Sequence, residues 1–332
     1  MTDRELIENV LQNKAAPRIP VGFWFHFLDD AETGNGLFDK TLLGRNIAGH
    51  REYLTVFKPD LVKIMSDGYF VYPLSHSLKE LRSVKDLEHI EVINSSHEWI
   101  RDQVKLVEEV TKIKPDTFYF YNIFSAATTL RFMVGRHTLV NWLEHHREAT
   151  LAAIDRINAG LKALSLAVIE KGGADGLYLS VQNPSQELLS DQFYLENISP
   201  GELDILESTN LAKGRSILHI CGYEGIRNNL RLYRDYPASI FSWAVNVEKV
   251  SLGQGRQIFG GRPVLGGFPN TKGSIIESGD EKSIKGFTRD LLEESGPNGV
   301  IIGADCTIPK GIPYTNLEWV REAAKDYKSS SR

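Results

Sequence analysis

The chain has 332 residues, 42% of them hydrophobic and 24% charged, a make-up that supplies ample apolar material for a globular core. Its formal net charge is −5 and its Lys and Arg are scattered, which argues against nucleic acid or an anionic membrane surface as a partner. No stretch approaches the roughly 18 apolar residues that cross a bilayer. The charged, amphipathic N-terminus lacks the apolar run of a secretory signal, so a cytoplasmic location is expected.

In chain order, the patterning predicts a strand at 19–27, a mobile Asp- and Gly-rich mouth loop at 29–38, a strand at 61–66 and an irregular excursion over 69–97. A helix at 98–111, a strand at 117–124, a long helix at 139–170 and a strand at 176–181 follow. The long helix has the clearest stripe (Leu151, Ile154, Ile157, Leu161, Leu164), and Gly172-Gly173 closes it. Beyond it come a helix at 200–212, strands at 216–220 and 239–245, a helix at 251–259, a strand at 263–266, a helix at 282–294, a strand at 299–303 and a helix at 314–327. The tail 328–332 is expected to fray. Strands alternating with helices, with no repeat and no linker, predict a single (β/α)8 TIM-barrel domain over 1–332.

The two cysteines, Cys221 and Cys306, are too few for a disulfide framework, and in a reducing compartment they are free or metal-bound. His219 and Cys221 close the fifth expected strand, and residues two apart on a strand share a face. Cys306 follows the eighth strand at the same carboxyl-end rim, where barrel enzymes place their sites. One imidazole and two thiolates make a three-ligand zinc site with the fourth position open for substrate. The competing reading is ordinary burial, since a free Cys packs like a small hydrophobe. Tyr121, with Trp24, Phe25, His26, Tyr119 and Tyr178, is a candidate pocket wall, and half of these aromatics are expected in the core. Gln182 and Asn183, just past the fourth strand, stand where ligand-binding polar groups belong. The Gly253-Gln-Gly255 segment lacks the third glycine of a dinucleotide loop.

Leu218-His-Ile-Cys-Gly222 resembles the Leu-His-x-Cys-Gly signature of methylcobalamin:coenzyme M methyltransferases, a branch of the uroporphyrinogen decarboxylase superfamily. Arg18-Ile-Pro-Val, Ala127-Thr-Thr-Leu, Gly173-Ala-Asp-Gly, the Gly260-to-Gly267 turn and strand, and Asp305-Cys-Thr-Ile-Pro resemble superfamily landmarks in the same order across nearly the whole chain. The resemblance implies a uroporphyrinogen decarboxylase-like barrel with zinc on His219, Cys221 and Cys306. It also implies methyl transfer to a small thiol from a methyl-corrinoid carried by a separate corrinoid protein. A homodimer stays open. Asp67 aligns with the substrate-holding Asp of the decarboxylases. Asp67 or Asp305 is expected to take the fourth metal position or to orient His219. The Arg-rich segment with which decarboxylases grip porphyrinogen carboxylates is replaced by Trp24-Phe-His-Phe-Leu-Asp-Asp30, which repels such a substrate. A metal-free decarboxylase or lyase and a non-catalytic partner of a corrinoid protein are the alternatives.

Overall fold

Seven of the eight expected runs become strands, all parallel and neighbouring one another in chain order: β1 (Leu61–Ile64), β2 (Phe118–Phe124), β3 (Gly176–Val181), β4 (Arg215–Ile220), β5 (Ile240–Trp243), β6 (Val264–Phe268) and β7 (Val300–Ala304). The computed structural model describes residues 1–75, 78, 80–183 and 189–327, so the tail expected to fray lies outside the described residues. Parallel neighbours require a long crossover. Here most crossovers are helical, among them Glu98–Thr111, Ser199–Leu211, Leu252–Ile258 and Glu281–Ser295, with Tyr314–Asp326 after β7. No helix among the described residues is long and apolar enough to cross a membrane.

Alternation along the strands sorts their side chains into two apolar clusters. In β4, Leu218 and Ile220 join the large outer cluster beneath the helices, while Ile217 joins an inner cluster with Trp24, Phe120 and Tyr178. His219 and Cys221 share the parity of Ile217. The N-terminal helix Asp3–Leu11 adds Ile7 and Val10 to the inner cluster. It sits at the amino ends of the strands, where Arg4 bonds Asp175 and the Thr117 carbonyl.

The expected first strand, 19–27, is a correction. It makes a single parallel bridge, Val21 with Ile302 of β7. Pro20 and Gly22 bond Ile302, and the Asp60 N–H donates to Val21 O, so the segment lies between β7 and β1. Two of its backbone donors are diverted to carboxylates: Val21 N–H to Asp60 Oδ2 at 2.8 Å, and Phe27 N–H to Asp67 Oδ2 at 2.6 Å. A donor spent on a side chain is lost to the ladder.

The expected helix 139–170 is two helices, Arg136–His145 and Arg147–Glu170. They are separated by His146 at φ −134°, ψ 41°, which caps the first and opens the second. The excursion contains a short 3-10 turn, Val84–His89, and is fastened to the second helix by Arg156, which donates to the carbonyls of Leu87 and Ile90. The mouth loop, expected to be mobile, is tied by Gly36 N–H to Gly68 O at 2.7 Å, by Arg45 to Glu32, and by Lys310 to Asp29 at 2.8 Å.

In the helix layer, Glu202 is buried and accepts hydrogen bonds from Tyr194 and Tyr236. Burial pushes its carboxyl from an ordinary 4.5 up to about 7, against those stabilising hydrogen bonds. Between those values the folded chain holds a proton that the unfolded chain has released. Stability therefore falls as pH rises through that window and is flat above it. The fall amounts to roughly 3 kcal/mol. Glu202→Gln should flatten this slope, as measured by denaturant unfolding from pH 4 to 8; an unchanged slope assigns it to other groups.

Candidate metal centre

β4 delivers His219 and Cys221 to the carboxyl-end rim, where the Cys221 N–H donates to Val181 O at 2.8 Å and its carbonyl accepts from Asn228 at 3.0 Å. Cys306 rides on the loop after β7. That loop is pinned by Asp305, whose N–H donates to Phe268 O at 2.8 Å and whose Oδ2 accepts from both the backbone and side-chain N–H of Asn246, at 2.7 and 2.9 Å. Gly303 allows β7 to lie against the first segment, since a Cβ there would sit 2.6 Å from Gly22 O.

The ligand atoms of His219, Cys221 and Cys306 lie within 4.8 Å of one another, the three-residue group expected from the sequence. His219 is fully buried. Its Nδ1 lies 3.0 Å from Ser242 Oγ, and its Nε2 has no hydrogen-bond partner among the described residues. A buried ring nitrogen without a partner is costly unless something accepts its lone pair. A divalent soft-to-borderline cation does so, and the two sulfurs beside it complete a zinc-type donor set. The residues therefore fit the metal.

The two thiols ionise unevenly. Cys306 is held well below the usual thiol range by the hydrogen bond from Cys221, then by His219 and Lys63, against its burial. Cys221, beside that sulfur and desolvated, is pushed up. A site that already favours one thiolate loses less on binding a cation.

The other expected residues are distributed differently. Asp67 is fully buried and does not join the three-ligand group: Oδ1 is 2.8 Å from His26 Nδ1, and Oδ2 accepts from Phe27 and Leu28. Asp305 holds the Cys306 loop, and burial pushes its carboxyl up to about 6. Neither Asp orients His219; Ser242, paired with it in register across β4 and β5, does. Tyr121 faces the helices and donates to Gln103 at 2.6 Å, and Tyr119 and Phe25 join it in the outer cluster. Gln182 and Asn183 are buried in the loop after β3. Gln182 accepts from Arg131 and donates to Tyr223 O at 2.9 Å, and the Asn183 N–H donates to Asn228 at 3.1 Å.

Sequence reasoning missed Ser242, Lys63 and Arg131. The Lys63 ammonium lies 4.0 Å over the Tyr178 ring, and that ring stacks on His219 with centroids 5.2 Å apart. A lysine inside the apolar run Leu61-Val-Lys-Ile was the available signal. Lys63, Arg131, His26, Cys221 and Cys306 line one cavity of about 430 Å³. A second, of about 600 Å³, shares His26, Asp30, Tyr223, Cys306 and Thr307 with it.

The family model described as uroporphyrinogen decarboxylase (URO-D) matches residues 73–327. The chain belongs to that family. No curated protein matches its sequence. Among solved structures, a methyltransferase from Methanosarcina mazei is similar over 98% of both chains, at 16% identity and a TM-score of 0.74. A B12-independent methionine synthase from Shewanella sp. W3-18-1 is similar over 93% of this chain and 97% of its own, at 11% identity and a TM-score of 0.55. A β-mannanase from the blue mussel Mytilus edulis covers the same shares at 12% identity and a TM-score of 0.51. These similarities establish the parallel α/β architecture. Their chemistries differ, so function must be argued from the residues.

Ser242 is the hydroxyl that holds the His219 ring. Ser242→Ala should weaken zinc binding about 10- to 100-fold while leaving the fold intact. Competition with a chromogenic chelator reads this, and unchanged affinity would remove Ser242 from the site.

Proposed function

We propose that this chain is a zinc-dependent methyltransferase that moves a methyl group from a methyl-corrinoid, carried by a partner protein, to a small thiol. We read its sheet as the eight-membered barrel of the family, with segment 20–22 completing the ring between β7 and β1. The observation that carries the reading is the meeting of a buried, partnerless imidazole nitrogen with two thiols at the junction of two cavities.

His219, Cys221 and Cys306 would hold the zinc, which would supply Lewis acidity that favours ionisation of an acceptor thiol. The chain's own residues do the rest. Ser242 fixes the imidazole, Asp305 fixes the Cys306 loop, and Lys63 sets a positive charge beside the sulfurs. Asp67, through its bond to His26, orients an imidazole that lines both cavities. The rings of Phe70, Phe124 and Phe132, with centroids 4.8 to 5.8 Å apart, exclude water from one side. The acceptor sulfur takes the methyl group, its proton leaves to solvent, and the electron pair of the broken bond stays with the corrinoid. Two cavities sharing Cys306 give acceptor and donor separate approaches to one sulfur-lined point.

The purified chain should carry about one zinc per molecule. Cys306→Ser should lose it and slow methyl loss from methylcobalamin at least 100-fold, followed by cobalamin absorbance with a panel of thiols. Full activity in metal-free, folded protein refutes the reading.

A further inference from the structure

Asp67 and His26 form a fixed pair on the wall that the two cavities share. Asp67 is fully buried, and Asn46 anchors its backbone by donating to the carbonyls of Met65 and Asp67, each at 2.9 Å. The Asp67 carboxylate accepts from the Phe27 and Leu28 N–H groups and lies 2.8 Å from His26 Nδ1. A carboxylate offers acceptors only, so His26 carries its proton on Nδ1 and a lone pair on Nε2. The Phe70 ring meets the imidazole in a T-shaped contact, centroids 5.8 Å apart, and holds it from a second side. With Nδ1 turned to Asp67, the part of the ring left 30% exposed carries Nε2.

The surroundings leave His26 as the base of these cavities. Among the described residues it is the one imidazole that lines either of them. Phe70, Phe124 and Phe132 wall one side, so a proton given up beside the sulfurs needs a carrier. The other titratable groups on these walls serve less well. Lys63 and Arg131 are cationic donors, the first attracted by Asp67 and by both cysteines. Asp30 lies exposed on the mouth loop, and Asp29 is paired with Lys310 at 2.8 Å. Cys221, Cys306 and Tyr223 are acids that bring protons of their own.

We propose that His26, oriented by Asp67, is the base that takes the proton of the acceptor thiol. This rests on the thiol-methyltransferase reading above. The S–H bond breaks, its electron pair stays on sulfur, and its proton goes to Nε2. A thiolate and an imidazolium paired with Asp67 result. The thiolate forms the new S–C bond as the methyl–corrinoid bond breaks, and the electrons of that bond stay with the corrinoid. The exposed ring edge then passes the proton to solvent. His26 touches the reacting thiol and is a catalytic residue, whereas Asp67 acts through it and is a positioning residue.

The test titrates 2-mercaptoethanol, an uncharged thiol, into the zinc-loaded chain by calorimetry in buffers of different ionisation heat, which counts the protons released on binding. If His26 keeps the thiol proton, release from the unmodified protein dips below one across about pH 6 to 8. His26→Gln, which retains an N–H for Asp67 but has no basic nitrogen, should release about one proton throughout. The same substitution should slow methyl transfer on the order of 100-fold, and added imidazole should restore part of the rate. Release of a whole proton by the unmodified protein over that range, a result that needs no variant, overturns the proposal. If the dip depends on His26 while no thiol accepts a methyl group, the base stands and the proposed function falls. If His26→Gln matches the unmodified protein in release and in rate, the function stands and the base falls. Absence of thiol binding to the zinc-loaded chain removes both.

Discussion

Parallel strands that all run the same way must all end on the same rim, and this constraint is what makes the site. His219 and Cys221 leave β4 and Cys306 follows β7, three strands further along the sheet, yet their ligand atoms lie within 4.8 Å. Two conditions bring them there. The sheet must curl so that β4 and β7 face each other, which the right-handed twist of parallel strands with helices outside favours. The inward parity of β4 must also persist past the end of the strand. Hydrogen bonds from the neighbouring loops then hold Cys221 and Cys306 where regular pairing stops, and Asp305 serves this purpose more directly than it serves any ligand.

Buried charge is the second theme. Burial pushes the His50 imidazole down to about 4, so that it stays neutral and its Nε2 accepts the Met65 N–H at 3.0 Å. Asp60 answers its burial with Arg18 and Asp67 with His26 and two backbone donors. Lys63 and Arg131 break this pattern: among the described residues neither makes a direct ion pair, Lys63 lying over rings and Arg131 bonding an amide. A charge left without its counterpart in an otherwise balanced interior costs stability, and such a cost is characteristic of positions shaped by a ligand.

Much of this was legible in the residues, for identifiable reasons. The His-x-Cys spacing on a strand fixes a shared face, and a cysteine just past the last strand must sit on the same rim, so periodicity and topology bring the three side chains together, while the family resemblance supplied their reading as zinc ligands. What stayed hidden depends on hydrogen bonds between distant segments. The run 19–27 has strand-like composition, but the carboxylates of Asp60 and Asp67 take the donors a ladder would need. The helix Thr41–Val56 was not anticipated because Asn46 and His50 interrupt its apolar stripe, although both are buried and bonded to the end of β1. Tyr121 was placed at the mouth by its residue type, whereas strand parity sends it outward beside Tyr119. Ser242 becomes meaningful only once β4 and β5 are in register.

The N-terminal helix has a consequence for access. By inserting Ile7 and Val10 among the inner side chains, it plugs the inner face of the sheet at the end opposite the sulfurs. Traffic to Cys221 and Cys306 is thereby confined to the carboxyl-end rim, where both cavities lie. The floor of the site is packed with side chains and the rim carries the loops, so a change of loop alters access without disturbing what supports the sulfurs.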